Sequence, residues 1–436
     1  MKIAIAGYGV EGRANYEYWN TPENQVVIVD ERDIPTNELP SIDTSVITGT
    51  DAFARLEGYD MVVRTAGLAP SKIRTDGKIW SSTNEFFEKC PAPIVGVTGS
   101  KGKGTTSSLI AGILRAAGKK VHLLGNIGVP ALSVLSEIEP DDIVVYELSS
   151  FQLWDIKRSP NVAVVLHIEQ DHLDVHADFE DYVNAKANIA IYQSTTDRIV
   201  YNASNEWSYA IARKSVGQRI VYPSDRTVYV RDNHFYYQDM ELCSIENLQL
   251  PGWHNVENAC AAILAAWSWV QEGAIIAEGL RSFSGLPHRL KLVNEIGGVR
   301  YYDDSIATTP GSAVAAVKAF PEPKILILGG SSKGADFKPL AQQIASSNVR
   351  RVILIGAEAE RINAYLNEEG YKNIDLLGDT VTMQEIVACA NRNAEAGDVV
   401  ILSPSCASFG MFTNYADRGD QFIEAVESMA ASSLLQ

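Results

Sequence analysis

Residues 94–106, Ile94-Val95-Gly96-Val97-Thr98-Gly99-Ser100-Lys101-Gly102-Lys103-Gly104-Thr105-Thr106, decide the architecture. A short run of β-formers leads into a glycine-rich turn, and a lysine with two hydroxyls then opens a helix. These are the physics of a P-loop. Backbone N–H groups cradle phosphates, Lys103 neutralises the outer phosphate oxygens, and a hydroxyl at Thr105 or Thr106 reaches Mg²⁺. The loop is shorter than the usual G-x-x-x-x-G-K-S/T, so it fits the general pattern loosely. A bare strand-to-helix turn would nevertheless leave the coincidence of a lysine and two threonines unexplained.

Outward from this loop, β-rich runs alternate with helical patterns: Lys2 to Ala6, Val26 to Asp30, Ile143 to Glu147 and Val162 to Ile168. Such alternation predicts parallel sheets with crossover helices. A second glycine loop, Gly7-Tyr8-Gly9-Val10-Glu11-Gly12, follows the first strand and matches G-x-G-x-x-G. Its glycines let phosphates approach a helix N-terminus, and Asp30 at the end of the next strand is placed to accept a hydrogen bond from a ribose hydroxyl. By itself this loop suits an NAD-dependent oxidoreductase, and a UDP-sugar satisfies the same geometry. Between Arg219 and Leu250, RIVYPSD, RTVYVRD and HFYYQDMEL predict a small antiparallel subsheet. After Gly285-Leu286-Pro287-His288 a third series begins, with VRYYDDS, KILILGG, RVILIG and DVVILSP separated by helices. The expectation is an α/β protein of three domains, 1–92, 93–285 and 286–436. They are a Rossmann-like N-terminal domain, a central P-loop domain carrying the subsheet, and a Rossmann-like C-terminal domain.

Length agrees, since 436 residues at roughly 150 per domain give about three. With 46% hydrophobic and 21% charged residues the composition is that of a globular protein. The 37 Lys+Arg against 54 Asp+Glu give a formal charge of -17, which argues against nucleic acid or an anionic membrane as a partner. The longest apolar stretch, Ala259 to Val270, is too short to span a bilayer and reads as a core helix. MKIAIAGYG enters a strand at once, without the parts of a secretory signal. Cys90, Cys243, Cys260, Cys389 and Cys406 are scattered and lack C-x-x-C spacing, so reduced thiols of a cytoplasmic protein are expected.

Two further candidates stand at strand ends. Glu147 closes a buried strand in YELSSFQL, and Asp171-His172 follow another in HIEQDHLD. A carboxylate beside phosphate oxygens and waters is the environment Mg²⁺ prefers. Alone, Glu147 reads equally as a helix cap and His172 as a satisfied turn residue.

The ordered set of the short P-loop, GNIG at 125–128, ELSSFQL at 147–153, DHLD at 171–174, HNVENA at 254–259, GLPHR at 285–289, GGSSKGADF at 329–337 and LSPSCASF at 402–409 resembles the Mur ligase family over nearly the whole chain. ELSSFQL and SPSCASF look most like its glutamate-adding branch. The resemblance implies an ATP-dependent ligase that joins glutamate, D-glutamate by family default, to UDP-N-acetylmuramoyl-L-alanine through an acyl phosphate in peptidoglycan synthesis. It implies ATP and two Mg²⁺ as cofactors and a monomeric protein. Carried over by position, Val10, Glu11, Asp30, Glu31, Arg32, Thr65, Gly67 and Asn126 surround the UDP-sugar. The loop Gly99 to Thr106 with Asn255, Asn258, Arg289 and Asp304 serves ATP. Lys103, Thr105, Glu147 and His172 hold phosphates and metal. Lys186 matches a lysine the family carbamylates to bind a second Mg²⁺, although the residues alone read as a solvated helix lysine. Lys333, Thr308, Ser408, Phe409 and Tyr415 match positions near the amino acid.

Three departures bear on this transfer. Gly104 replaces the usual Ser or Thr after the P-loop lysine, a spacing closer to folylpolyglutamate synthase, the nearest competing ligase. His167 replaces an asparagine, and Ile306 stands where a lysine is usual, which keeps an L-glutamate-adding variant open.

Overall fold

The computed structural model describes residues 1–125, 129–172, 175–250, 252–331 and 335–433. The chain divides into two compact units, Met1–Phe283 and Ser284–Gln436. It has the expected α/β architecture built on parallel sheets.

The first unit holds two parallel sheets. One comprises β1 (Lys2–Ala6), β2 (Gln25–Asp30), β3 (Val46–Thr48), β4 (Met61–Arg64) and β5 (Lys78–Ser81) in the order β3-β2-β1-β4-β5. The order reverses between β1 and β4, and ligands bind at the strand ends flanking such a switch point. The glycine loop after β1 and Thr65 after β4 lie there. The other sheet comprises β6 (Ile94–Thr98), β7 (Val121–Gly125), β8 (Ile143–Glu147), β9 (Val162–Val165), β10 (Arg198–Asn202) and β11 (Gln218–Tyr222), in the order β11-β10-β9-β6-β8-β7. β6 is fully buried between β8 and β9, as its unbroken apolar run requires.

The two sheets share one hydrophobic cluster that runs from Ile3 and Ile5 through Phe86 and Phe87 to Tyr146 and Val165. Arg64, at the end of β4 and fully buried, adds a polar tie across it. Its guanidinium grips Asp155 at 2.6 and 2.8 Å and donates to the Phe151 and Leu68 carbonyls at 2.8 and 3.2 Å.

One expectation needs correction. The segment RIVYPSD does not join the antiparallel subsheet, because β11 pairs in parallel with β10. The subsheet is β12 (Val228–Arg231), β13 (His234–Tyr237) and β14 (Met240–Ser244). The apolar run from Ala259 is the core helix foreseen, Trp253–Ala266, which packs its alanines against the P-loop helix Lys103–Ala116.

The second unit has one sheet: β15 (Lys291–Ile296), β16 (Val299–Asp303), β17 (Lys324–Gly329), β18 (Val349–Ile355), β19 (Ile374–Gly378) and β20 (Val399–Leu402), in the order β15-β16-β20-β17-β18-β19. Only the edge pair β15 and β16 is antiparallel among the strand pairs of this sheet. Among the described residues no helix is long and apolar enough to cross a membrane.

Candidate functional site

The chain leaves β6 at Thr98 and turns through Gly99 to Gly102, whose φ of 83° is a left-handed conformation that costs glycine nothing. A Cβ on Gly102 would also strike the Asn258 amide, so this glycine lets the helix Trp253–Ala266 close over the loop. Asn258 in turn donates to Asn255 at 3.2 Å, which brings both expected asparagines to the loop.

Lys103 folds back so that its Nζ donates to the Gly99 and Ser100 carbonyls, each at 3.0 Å. Lys186, from the helix Phe179–Ile191, reaches the same Gly99 carbonyl at 3.0 Å and the Thr98 hydroxyl at 3.3 Å. It is 1% exposed, which corrects the reading of a solvated helix lysine. Burial, reinforced by the Lys103 charge, pushes the Lys186 ammonium well below the usual lysine range, against the pull of Asp171 and Glu147. The Lys103 charge at this loop makes a local positive field in a chain of net charge -17, where an anionic group is the fitting partner.

Glu147 ends β8, 4% exposed, and the close approach of Gly125 to its carbonyl brings the end of β7 alongside. His172 adopts a φ of 54° and is half-exposed, set edge-on to the Phe151 ring at 4.9 Å. Thr105 and Thr106 are buried in the first turn after the loop. Ser100 and Lys101 are turned elsewhere. The Ser100 hydroxyl is engaged with the Glu169 carbonyl and the Tyr182 hydroxyl, both at 2.8 Å, and Lys101 points outward to Glu169 at 2.7 Å. Their side chains brace the loop.

At the first glycine loop, Gly12 packs so tightly on the Gly7 carbonyl that no Cβ fits. Asp30 is buried and accepts the Tyr8 N–H at 2.8 Å, while Arg32 donates to the Tyr8 carbonyl at 2.8 Å. Asp30 therefore fixes the loop as well as facing it. Glu11 accepts from the Ala66 N–H at 2.8 Å and from the Ser82 hydroxyl. Val10, Glu31 and Gly67 are exposed around the same strand ends, and Thr65 packs on Gly7. Asn126 lies outside the described residues, as does Lys333.

In the second unit Asp304 is buried, accepting from the Ser403 hydroxyl at 2.7 Å and the Leu290 N–H at 3.2 Å. Burial pushes its carboxyl up to about 7. Ile306 is half-buried, its N–H on the His288 carbonyl at 3.1 Å. Arg289, Phe409 and Tyr415 are exposed, Thr308 is half-buried and Ser408 is buried.

Sequence reasoning missed Arg418, which is fully buried and joins the Ser305 hydroxyl and carbonyl (2.9 and 2.8 Å) to the Cys406 carbonyl (3.2 Å). It thereby fixes the DDS and SPSCASF segments to each other. An arginine in a polar helix start gives no signal of this. Arg64 was missed too, although a charge directly after Met61-Val62-Val63 is a visible anomaly.

The chain is similar to known proteins over most of its length. The Mur ligase middle domain matches residues 97–266, and the Mur ligase glutamate ligase domain matches residues 288–406. The UDP-N-acetylmuramoylalanine–D-glutamate ligase of Acetivibrio thermocellus is 38% identical, covering 99% of this chain and 97% of its own. That of Ruminiclostridium cellulolyticum is 37% identical over 90% and 88%. Among solved structures, the UDP-N-acetylmuramate-alanine ligase MurC of Thermotoga maritima shares the fold with a TM-score of 0.61 at 17% identity, covering 98% of this chain and 100% of its own. The MurF ligase of Thermotoga maritima in complex with ADP has a TM-score of 0.56 at 18% identity, over 99% and 95%.

Proposed function

This chain belongs to the Mur ligase family, and we infer from that membership that it is an ATP-dependent ligase adding D-glutamate to UDP-N-acetylmuramoyl-alanine in peptidoglycan precursor synthesis. The observation that carries the chemistry is the convergence of Lys103 and Lys186 on the Gly99 carbonyl, with Glu147 and Asp171 close enough to act on Lys186. An oxidoreductase reading of GYGVEG leaves that convergence without a purpose.

A carboxylate is a poor acyl electrophile. Transfer of the ATP γ-phosphoryl group to the UDP-muramoyl-alanine carboxylate makes it an acyl phosphate and releases ADP. The amine of glutamate then attacks the acyl carbon, and the tetrahedral adduct expels phosphate and loses a proton to give the amide. Lys103 offsets charge on the transferred group, and the backbone of 99–104 holds the phosphates, with Asn255 and Asn258 beside the loop. The UDP end rests on the first glycine loop with Asp30, Arg32 and Thr65. In the second unit Arg289 and Asp304 serve the nucleotide, and Thr308, Ser408, Phe409 and Tyr415 the amino acid.

Mg²⁺ fits the donors present. Glu147 is a buried carboxylate on the strand next to the one that leads into the loop, and Mg²⁺ characteristically takes one or two carboxylates with phosphate oxygens and waters. Thr105, Glu147, His172 and a carbamylated Lys186 are the proposed ligands; bound there, the metal supplies further neutralisation of phosphoryl charge. Lys186 suits carbamylation because burial and the neighbouring Lys103 charge favour its neutral amine over the ammonium. The neutral amine adds to CO₂, an N–C bond forms as one C=O electron pair moves onto oxygen, the nitrogen loses one proton, and a neutral group becomes an anion.

The activity is checked by coupled phosphate release. Turnover is expected only with ATP, Mg²⁺, the UDP-muramoyl peptide and D-glutamate together, and efficient release without the UDP-sugar would overturn the reading.

Ile306 carries a second expectation. A charge-assisted hydrogen bond to a carboxylate contributes roughly 1.5–3 kcal/mol, so placing a lysine there should change the KM for glutamate by about ten- to a hundredfold. Ile306→Lys is therefore expected to alter KM for glutamate, or the preference between its enantiomers, more than KM for ATP. Unchanged glutamate constants for both enantiomers would place Ile306 outside the amino-acid site.

A further inference from the structure

Three of the proposed metal ligands come from separate stretches of chain. Glu147 ends β8, His172 follows β9, and Lys186 lies on the helix Phe179–Ile191. His176 lies where these stretches meet. Its imidazole is fully buried, with Nδ1 at 2.8 Å from the Asp181 carboxylate, on the helix that carries Lys186, and Nε2 at 3.0 Å from the Ser150 hydroxyl. Ser150 opens the short helix Ser150–Leu153 directly after β8 and Glu147. The His176 backbone N–H donates to the His172 carbonyl at 3.0 Å. Its ring is stacked on Phe151 with centroids 5.5 Å apart, and Phe151 is the ring that backs His172. Trp154 lies against the imidazole at 4.3 Å and donates its indole N–H to Asp181 at 3.4 Å.

A carboxylate only accepts, so Nδ1 carries the proton toward Asp181, and in that tautomer Nε2 accepts from the Ser150 hydroxyl. Asp, His and Ser in this order are also the parts of an activated nucleophile. Ser150 is 1% exposed in the first turn of its helix, however, which closes its oxygen off from an acyl group. The contacts act on position instead. We propose that His176 is a positioning residue that fixes Glu147, His172 and Lys186 at the spacing a phosphate-bound divalent cation requires. The assignment rests on the ligase reading above. Mg²⁺ demands near-ideal octahedral geometry at about 2.0–2.1 Å, so a shift of one contributing segment against the others weakens its hold. The Ser150 bond ties down the end of β8, the backbone bond ties down the His172 turn, and the Asp181 bond ties down the helix. On that helix Tyr182, the neighbour of Asp181, lies under the Lys186 Nζ with its ring centroid 4.6 Å away.

The test reads variants by Mn²⁺ binding, followed through its EPR signal in the presence of ADP, and by kcat in the complete reaction. His176→Phe keeps the stacked ring, drops both side-chain hydrogen bonds and leaves the Ser150 hydroxyl buried without a partner, so its Tm should fall by a few degrees. The double variant His176→Phe/Ser150→Ala removes that hydroxyl as well and should recover most of the Tm. Its Mn²⁺ affinity and kcat are nevertheless expected to stay about tenfold or more below the wild type, the usual effect of losing a group that orients metal ligands. KM for the UDP-sugar, whose UDP end rests on the other sheet, should change little. Asp181→Ala reads the same brace from its other end, at a side chain 34% exposed, and should weaken Mn²⁺ binding and kcat in the same sense. Wild-type Mn²⁺ affinity and kcat in the double variant overturn the assignment, because a residue that served the fold alone loses its effect once Tm is restored. If the double variant does not fold, Asp181→Ala decides, and wild-type values there overturn it equally. A wild type that neither binds Mn²⁺ nor turns over the UDP-muramoyl peptide is a different result, and strikes the ligase reading itself.

Discussion

Lys103→Ala is expected to lower kcat about a thousandfold while leaving the protein folded, a loss of roughly 4 kcal/mol in transition-state stabilisation. The ammonium lies over the loop carbonyls of Gly99 and Ser100, and its proposed role is to meet the charge that accumulates on the phosphoryl group in transfer. Removing it takes away an interaction made mainly in the transition state, so kcat should fall far more than KM for ATP rises. The side chain is only half-buried and helps to fill no core, so Tm should shift by no more than a few degrees. A folded Lys103→Ala enzyme with near-wild-type kcat would remove the lysine from the mechanism.

Lys186→Ala should be as damaging and, unlike the first variant, chemically repairable. The residue is fully enclosed, and its truncation leaves a small polar hollow bounded by Thr98 and Gly99. If the working form is a carbamate, acetate or formate can supply the missing carboxylate, and a loss of about a hundredfold or more should be partly reversed by adding either. Wild-type enzyme depleted of CO₂ and bicarbonate should lose activity in parallel and recover on their return. Full activity of the untreated variant refutes a catalytic carbamate. A dead variant that carboxylates do not revive, in an enzyme insensitive to CO₂, would leave Lys186 a structural ammonium.

The parts of the molecule that were legible in advance are those where a local signal has one physical solution. β1, β6 and β8 begin and end as their apolar runs do, since strands buried on both faces must be apolar throughout. The two glycine loops were legible because few other residues tolerate such close backbone approach. RIVYPSD was misplaced because β11 is an edge strand whose burial rises from exposed Gln218 and Arg219 to buried Tyr222, a pattern that does not distinguish parallel pairing from a hairpin. Lys186 misleads for a related reason, since nothing nearby in sequence announces that Gly99 and Thr98, almost ninety residues away, enclose it. Arg64 likewise acquires its meaning only from groups brought to it by the fold.

Arg64 has a consequence for how such a chain can be recombined. Its fork closes on Asp155, 91 residues further along, and its remaining donors cap carbonyls on both sides of the shared core. Losing one partner of so enclosed a pair strands the other without a counter-charge, which costs about 3–5 kcal/mol. The N-terminal sheet is therefore no interchangeable cartridge. A chimera that grafts a foreign residue 1–92 segment onto this central domain inherits Asp155 without its cation unless the donor happens to bring an arginine at the same strand end. Substitutions at the two positions are tied to each other across that distance, as a lock is to the key cut for it.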